Sequence, residues 1–211
     1  EITDTEAVAA CIRGAVEALG VPARCVVTAV GGRDIMIKKI RMDRMAVADA
    51  REAIRWEAEQ YVPFEMSGVQ LDFQVLDAEA DEPEMDVLLV AAKRELVEQR
   101  LALLKAAGLR ASVVDVAAFA LHNAFVQNYP QCERGIAALV DVGREGSTIL
   151  IQQEGVPVVN REVPFGTRSV VADLQRGEGL TAEEAELLIR RAGERLEMST
   201  TGLDEALAAL A

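Results

Sequence analysis

Three apolar segments follow one another closely in the second half of the chain, and they constrain the fold more than any other feature. They cover residues 136–142, 147–153 and 157–164, and short connections that contain glycine separate them. Connections of two to four residues can join only antiparallel strands, because a parallel crossover needs a dozen residues or more. The segments therefore predict an antiparallel meander.

The first turn of this meander also has the residue types of a phosphate-binding loop. A strand ends with Asp141, and the chain turns at Gly143 and Gly146 into Ser147 and Thr148. Backbone N–H groups and short hydroxyls in such a turn can bind phosphate, and a carboxylate can hold Mg²⁺ through water. A plain hairpin with a polar turn would use the same residues. The pattern alone leaves both interpretations open.

Hydrophobic periodicity divides the rest of the chain into helices and strands. It predicts helices over 3–19, 43–60, 94–107, 117–128 and 165–176, and strands over 24–30, 34–42, 69–75, 85–92 and 111–116. We expect the first two strands to form a hairpin, with a bulge or the end of the sheet at Lys38-Lys39. Asp43 is expected to cap the next helix, and Thr181 with Glu184 to form a capping box further on. Residues 43–84 look like an inserted subdomain, so the pattern predicts an α/β chain in two lobes.

Charge and composition exclude several classes of partner. The formal net charge is −13, which argues against nucleic acid and against direct docking on anionic lipid. There is no apolar run of about 18 residues that could span a membrane. The three cysteines and the single histidine show no metal-ligand spacing. We therefore expect a cytoplasmic protein with no nucleic-acid partner and no direct membrane insertion.

Several runs of residues closely resemble the PilM family, the cytoplasmic actin-like proteins of type IV pilus assembly. The most specific is Ile-Arg-Trp-Glu-Ala-Glu-Gln-Tyr-Val-Pro-Phe at 54–64; the others lie at 71–76, 87–92, 113–121, 139–143 and 161–166. The resemblance implies an α/β, actin-like (ribonuclease H-like) ATPase fold with an inserted 1C subdomain, incomplete at both ends. It assigns 1–41 and 85–130 to subdomain 1A, 42–84 to 1C, and 131–211 to parts of 2A and 2B.

The resemblance also implies a nucleotide site that holds ATP and Mg²⁺ in the intact protein. The matching positions are Asp141 (also on Mg²⁺ through water), Gly143, Gly146, Ser147 and Thr148 of the second phosphate loop, and Glu186 at a helix position that faces the ribose. The first phosphate loop and the adenosine motif of the family are not found. Ile189 replaces a lysine that family members often carry.

A further implication is a peptide partner. PilM proteins bind the N-terminal cytoplasmic tail of the inner-membrane protein PilN in a groove between 1A and 1C. The candidates for this surface are the aromatic and proline residues Trp56, Tyr61, Pro63 and Phe64, although each of them could instead pack in the core. The resemblance further implies other inner-membrane and motor components of the pilus machine, a homo-oligomeric ring, a role in twitching motility, and association with the inner membrane through partners.

An enzyme is the alternative. Active ATPases and phosphotransferases of the actin type often place an acid directly after the Thr of this loop, to orient the nucleophile. Here that position is Ile149. No catalytic residue is therefore predicted, and we expect a nucleotide-binding adaptor with at most slow ATP hydrolysis. The alternative that stays open is an actin-fold ATPase such as an FtsA-like, polymerising cell-division protein.

Overall fold

The computed structural model describes residues 4–20, 22, 24–77 and 82–197. These residues form six α-helices and eight β-strands, which divide into two compact units, Glu1–Val140 with Thr148–Glu162 and Asp141–Ser147 with Val163–Ala211. The helices are α1 (Thr5–Ala18), α2 (Val47–Glu59), α3 (Arg94–Ala106), α4 (Ala117–Asn128), α5 (Thr167–Glu178) and α6 (Ala182–Glu197). The strands are β1 (Cys25–Val30), β2 (Ile35–Asp43), β3 (Val69–Val75), β4 (Glu84–Lys93), β5 (Arg110–Val116), β6 (Ile136–Val142), β7 (Ser147–Gln153) and β8 (Val156–Val163).

The first unit begins with a parallel pair of strands. β1 pairs with β5 from Cys25 opposite Arg110 to Val30 opposite Val116. α1 packs on α3 through a small apolar cluster in which Ala9 and Leu103 are buried. Asp4 accepts a hydrogen bond from Ala7 N at 2.9 Å and so caps the start of α1.

The second sheet of this unit has the order β2-β4-β3 and is antiparallel. Alternate apolar residues of its strands pack against the inner face of α2, where Ala50, Ile54 and Ala58 are buried. Subdomain 1C was expected to cover residues 42–84. Two strands of this sheet, β2 and β4, cross those limits. The subdomain boundaries themselves stay a prediction, and residues 198–211 of the last one lie outside the described residues.

Three local expectations for this region are wrong. β1 and β2 do not form a hairpin, because β1 pairs with β5 and β2 pairs with β4. Lys38-Lys39 is not a bulge, since β2 pairs with β4 without a register shift from Ile35 to Asp43. Asp43 ends β2, and α2 starts after Ala46, which provides no side-chain cap.

The third sheet has the order β6-β7-β8, so the predicted meander is confirmed. Leu139 and the fully buried Leu150 pack with Val30, Ile35 and Val116 in one core cluster. The sheet thus closes the core of the first unit.

In the second unit, α5 ends at Gly179, which has a left-handed φ of 67° that favours glycine. The predicted capping box of α6 is confirmed: Thr181 N donates to Glu184 Oε2 at 2.8 Å, and Glu184 N donates to Thr181 Oγ1 at 3.3 Å. Both hydrogen bonds from Thr181 to the carboxylate lower the pKa of Glu184. Within the part of the chain that the structure describes, no helix has both the length and the apolar character needed to cross a bilayer.

Candidate functional site

The predicted phosphate loop is a tight turn that is fixed to the start of α5 by its main chain. Gly143 N donates to Gly146 O at 3.0 Å across the turn. Thr167 N and Arg168 N, at the first turn of α5, donate to Gly143 O at 2.9 Å and to Arg144 O at 3.0 Å. These N–H groups would otherwise lack partners at a helix N-terminus. The turn and the helix therefore form one hydrogen-bonded structure.

Two glycines allow this close approach. A Cβ on Gly166 would lie 2.6 Å from Gly143 O, and it would also clash with Arg144 O. A Cβ on Gly143 would lie 2.7 Å from Gly146 O. Both distances are far below van der Waals contact, so only glycine fits at either position without a shift of the main chain.

The two predicted hydroxyl ligands are already used within the chain. Ser147 is buried, and its Oγ donates to Phe165 O at 2.6 Å. Thr148 Oγ1 donates to Glu162 Oε1 at 2.7 Å. Asp141, by contrast, is exposed at the end of β6. The turn thus offers an anion its main chain rather than its hydroxyls, and among the described residues no atom accepts a hydrogen bond from the N–H groups of 144–146.

Glu186 lines a cavity of about 610 Å³ within the second unit, between α5 and α6. Its Oε1 lies 3.7 Å from Arg144 Nη1 of the turn. Arg168, which bonds Glu145 at 3.0 Å, and Arg190 also line the cavity. Three guanidinium groups around one cavity favour an anionic ligand. No cluster of three or more His, Cys, Asp or Glu that could hold a metal occurs in the described part of the chain.

Three of the four predicted partner-binding residues lie together, and Trp56 lies apart from them. Trp56 is 74% exposed on α2 and contributes to neither of the two grooves described next. Tyr61, Pro63 and Phe64 line a groove of about 610 Å³ between β2 and β8 in the first unit. The Lys38 ammonium lies 3.9 Å from the centre of the Tyr61 ring, a cation–π contact. We call this the basic groove; it is lined by Arg33, Ile35, Met36, Ile37, Lys38, Lys39, Tyr61, Pro63, Phe64 and 158–162.

The first unit has a second groove, and none of the residues that line it was among the predicted site residues. It consists of two adjoining cavities of about 370 and 400 Å³ that share Gln74, Leu88, Asp115 and Phe119. It runs between β3 and β4 on one side and β5 and α4 on the other. We call it the acidic groove; it is lined by Asp72, Phe73, Gln74, Leu76, Leu88, Val90, 114–116, Phe119, His122, Asn123 and 155–157.

The floor of the acidic groove is apolar and its charged groups are carboxylates. Leu88 is buried in the floor, while Asp72 Oδ1 and Asp115 Oδ1 each accept one hydrogen bond, from the N–H of the following residue, at 2.9 and 2.7 Å. Among the described lining residues there is no Lys or Arg. The two negative charges are therefore uncompensated within the groove, which suits an apolar peptide that carries a cation.

A buried polar chain supports one end of this groove. His122, only 7% exposed, has Nε2 at 2.9 Å from Gln152 Oε1, and Gln152 Nε2 donates to Cys132 O at 2.7 Å. Because the amide nitrogen of Gln152 is used as a donor, its oxygen is the acceptor, and His122 Nε2 carries the proton. This chain ties α4 to β7. The alternation of β3, with Asp72 and Gln74 on its polar face, was the one sequence signal for the groove.

A family model described as type IV pilus assembly protein PilM matches residues 1–197. The chain belongs to the PilM family. The resemblance seen at 54–64 is thereby confirmed, and with it the α/β, actin-like fold class.

The solved structure of a PilM–PilN type IV pilus biogenesis complex has 25% sequence identity and a TM-score of 0.79, over 99% of this chain and 63% of that chain. This PilM-family chain thus spans less than two thirds of the chain that it matches. The cytoplasmic domain of EpsL, an inner-membrane component of the type II secretion system of Vibrio cholerae, is 16% identical with a TM-score of 0.49, over 85% of this chain and 64% of that chain. A protein of unknown function with an actin-like ATPase fold from Bacteroides thetaiotaomicron is 8% identical with a TM-score of 0.40, over 80% and 60%.

Proposed function

We propose that this PilM-family chain is a cytoplasmic adaptor of the type IV pilus machine that binds the N-terminal tail of PilN in the acidic groove. The observation that carries the proposal is the pair of uncompensated carboxylates, Asp72 and Asp115, beside the apolar floor at Leu88. Cytoplasmic segments next to a membrane span carry an excess of Lys and Arg. A basic tail with apolar residues is therefore complementary to this groove.

The solved PilM–PilN complex supports PilN as the partner, since its chain aligns with almost all of this one. The charge of the grooves supports the choice between them. The basic groove would repel a cationic tail, although it contains Tyr61, Pro63 and Phe64. Trp56 lies outside both grooves, and we assign it no contact with the tail.

The proposal includes a nucleotide in the second unit. The phosphates would lie on the main-chain N–H groups of residues 144–146, next to Ser147 and Thr148, whose hydroxyls bond Phe165 O and Glu162. Arg144, Arg168 and Glu186 fit the rest of an ATP molecule, because they surround one cavity with two cations and a carboxylate suited to a ribose hydroxyl. Asp141, exposed at the end of β6, would hold Mg²⁺ through water. The ion would balance phosphate charge.

In the cell, PilN would hold this adaptor at the inner membrane, and the adaptor would couple PilN to other inner-membrane and motor components. A homo-oligomeric ring is the arrangement that we expect. Twitching motility is the process that it would serve.

The test is calorimetric titration of the full-length protein with a synthetic peptide of the cognate PilN tail, with and without ATP. We expect saturable binding that Asp72→Lys weakens by about tenfold or more, because a close charge pair becomes a repulsive one. Glu59→Lys is the matched control, since it makes the same charge change at an exposed site outside the groove. It should leave the affinity unchanged.

Equal weakening by both variants would show only a general charge effect and would contradict the groove assignment. Absence of tail binding, together with steady ATP turnover or ATP-dependent sedimentation of polymers, would replace the adaptor by the actin-fold ATPase or the FtsA-like protein.

A further inference from the structure

The basic groove contains an open strand edge. β2 is an outer strand of its sheet, and its hydrogen-bond pattern with β4 is fixed at both ends: Lys93 N donates to Asp34 O at 3.0 Å, and Arg44 N donates to Pro83 O at 2.8 Å. In an antiparallel ladder the residues that bond a partner alternate with residues that face away from it. The even-numbered residues of β2 therefore bond β4. The N–H and C=O groups of Ile35, Ile37 and Lys39 face the open edge, and all three residues line the groove.

On the opposite side of the groove, a buried acceptor lacks a donor. Asn160 lies on β8, which is an outer strand of the meander. Its Oδ1 is buried, and among the described residues no group donates a hydrogen bond to it. A buried acceptor without a partner is costly. Because Asn160 lines the groove, a ligand in the groove is a candidate donor for this atom.

The charge of the groove defines the chemistry of its ligand. Arg33, Lys38 and Arg161 line it, and within the described residues none of the three forms an ion pair with a carboxylate. The one carboxylate of the lining, Glu162, accepts the hydrogen bond of Thr148 Oγ1. Such a concentration of cations on a chain of net charge −13 favours an acidic ligand.

We propose that the basic groove binds an extended, acidic peptide segment of a partner protein, which adds as a strand to the open edge of β2. The edge from Ile35 to Lys39 is about 13 Å long at the usual rise of a strand, enough for a segment of about five residues. One N–H of the segment satisfies Asn160 Oδ1, and its carboxylates meet Lys38 and Arg161. The aromatic rings of Tyr61 and Phe64 contact its apolar side chains.

This proposal goes beyond the PilN adaptor and does not rest on it, because the two grooves share no residue. The two partners differ in the sign of their charge. A failure of either proposal therefore leaves the other intact.

The probe is the synthetic peptide acetyl-Val-Glu-Val-Asp-Val-Glu-amide, labelled with a fluorophore and titrated with the full-length protein by fluorescence anisotropy. Three comparison peptides are used: one with Lys in place of every acid, one N-methylated at alternate residues, and the PilN tail. We expect saturable binding of the acidic peptide, and a loss of binding for the lysine and N-methylated forms. The N-methylated form tests strand addition, because it lacks the backbone N–H donors along one of its two edges.

Two variants test the site, and one serves as a control. Arg161→Glu should weaken the acidic peptide at least about tenfold, as expected for a reversed charge pair. Asn160→Leu should weaken it about fivefold while the melting temperature stays equal or rises, because the substitution also removes a buried acceptor without a donor. Arg55→Glu makes the same charge reversal on an exposed part of α2 and should change nothing.

The proposal is overturned if the acidic peptide shows no saturable binding up to about 1 mM, the level of a very weak complex. It is overturned equally if Arg161→Glu and Arg55→Glu bind the peptide alike, or if the lysine peptide binds as well as the acidic one. Sedimentation velocity tests whether the protein associates with itself. Concentration-dependent self-association that Arg161→Glu abolishes would assign the groove to a second copy of this chain instead.

Discussion

The two grooves of the first unit lie against the same sheet, β2-β4-β3, and differ in the sign of their charge. The basic groove lies at the outer edge of β2 and has an ammonium or guanidinium group at Arg33, Lys38, Lys39 and Arg161. The acidic groove lies along β3 and β4 and has carboxylates at Asp72 and Asp115 and no cation among its described lining residues. Their volumes are similar, about 610 Å³ against two adjoining cavities of 370 and 400 Å³. Size therefore would not separate the two proposed ligands, whereas charge would, because each groove should repel the ligand proposed for the other.

The largest expected effect tests whether the grooves work without the turn of the second unit. Gly166→Ala should destabilise that unit by about 3 kcal/mol, since the added Cβ meets main-chain atoms that cannot move aside easily. Chemical denaturation would measure it. Nucleotide binding should be lost while both peptides still bind.

Asp141→Ala is the matched variant, because this exposed side chain can be removed without a clash. It should weaken ATP binding in the presence of Mg²⁺ and leave the unfolding curve unchanged. If Gly166→Ala abolished binding of either peptide, the grooves would depend on the second unit, and the comparison between them would lose its basis.

The next prediction distinguishes Tyr61 from Trp56, two of the aromatic residues expected at the partner-binding surface. Tyr61→Ala should cost about 2 kcal/mol of stability, because the ring packs against the α2 core and under Lys38. It should also weaken the acidic peptide several-fold and leave the PilN tail unaffected. Trp56→Ala should change the stability by less than about 0.5 kcal/mol, since the side chain is exposed. Weaker binding of the PilN tail to Trp56→Ala would place the tail on the outer face of α2 instead.

The smallest effect concerns the ion pair at the rim of the basic groove. Lys39 Nζ lies 2.7 Å from Asp86 Oδ2, and this hydrogen bond, followed by that of Arg41, lowers the pKa of Asp86. A lowered carboxylate pKa adds stability above the unfolded value of about 4, and that stability is lost as the pH falls through the folded value. Asp86→Asn should therefore cost less than about 1 kcal/mol at pH 7, as for other partly exposed pairs.

Urea unfolding at a series of pH values would measure this difference, which should shrink as the pH falls below the unfolded pKa and disappear once the carboxyl is protonated in the folded wild type as well. The released Lys39 should make the acidic peptide bind slightly more tightly, about twofold. A difference in stability that persisted at low pH would mean that Asp86 acts through packing rather than charge.

Local sequence patterns predicted most individual elements, including the clean alternation of β3 and the capping box at Thr181. The same patterns did not reveal which strands pair. β1 pairs with β5, and the paired residues Cys25 and Arg110 are 85 positions apart in the sequence. No local signal encodes such a pairing. The hairpin expected for β1 and β2 was wrong for this reason. A short Gly31-Gly32 connection suggests a hairpin even where it only leads from one sheet into the next.

The candidate sites show the same limit. The run at 54–64 predicted the family, yet it could not show that Trp56 points to solvent while Tyr61 lines a groove. The acidic groove combines Asp72 with Asp115, and only the packing of two separate layers brings these residues to one surface. The hydroxyls of Ser147 and Thr148 were predicted as ligands from residue type and from the family resemblance. Their actual acceptors are Phe165 O, in the connection between β8 and α5, and Glu162 on β8, and residue type does not reveal which groups lie within reach of a hydroxyl.

The main-chain attachment of the 143–146 turn to α5 has a consequence for sequence variation. The main-chain hydrogen bonds of the turn do not depend on the side chains of Arg144 and Glu145, which form exposed ion pairs with Glu186 and Arg168. Gly143 and Gly166, where a Cβ would meet the main chain, are the positions under steric constraint. Natural variation could therefore alter the charge at 144 and 145, and so the ligand preference of the cavity beside them, while the turn keeps its geometry. Close homologues should differ freely at these two positions and should retain glycine at the other two.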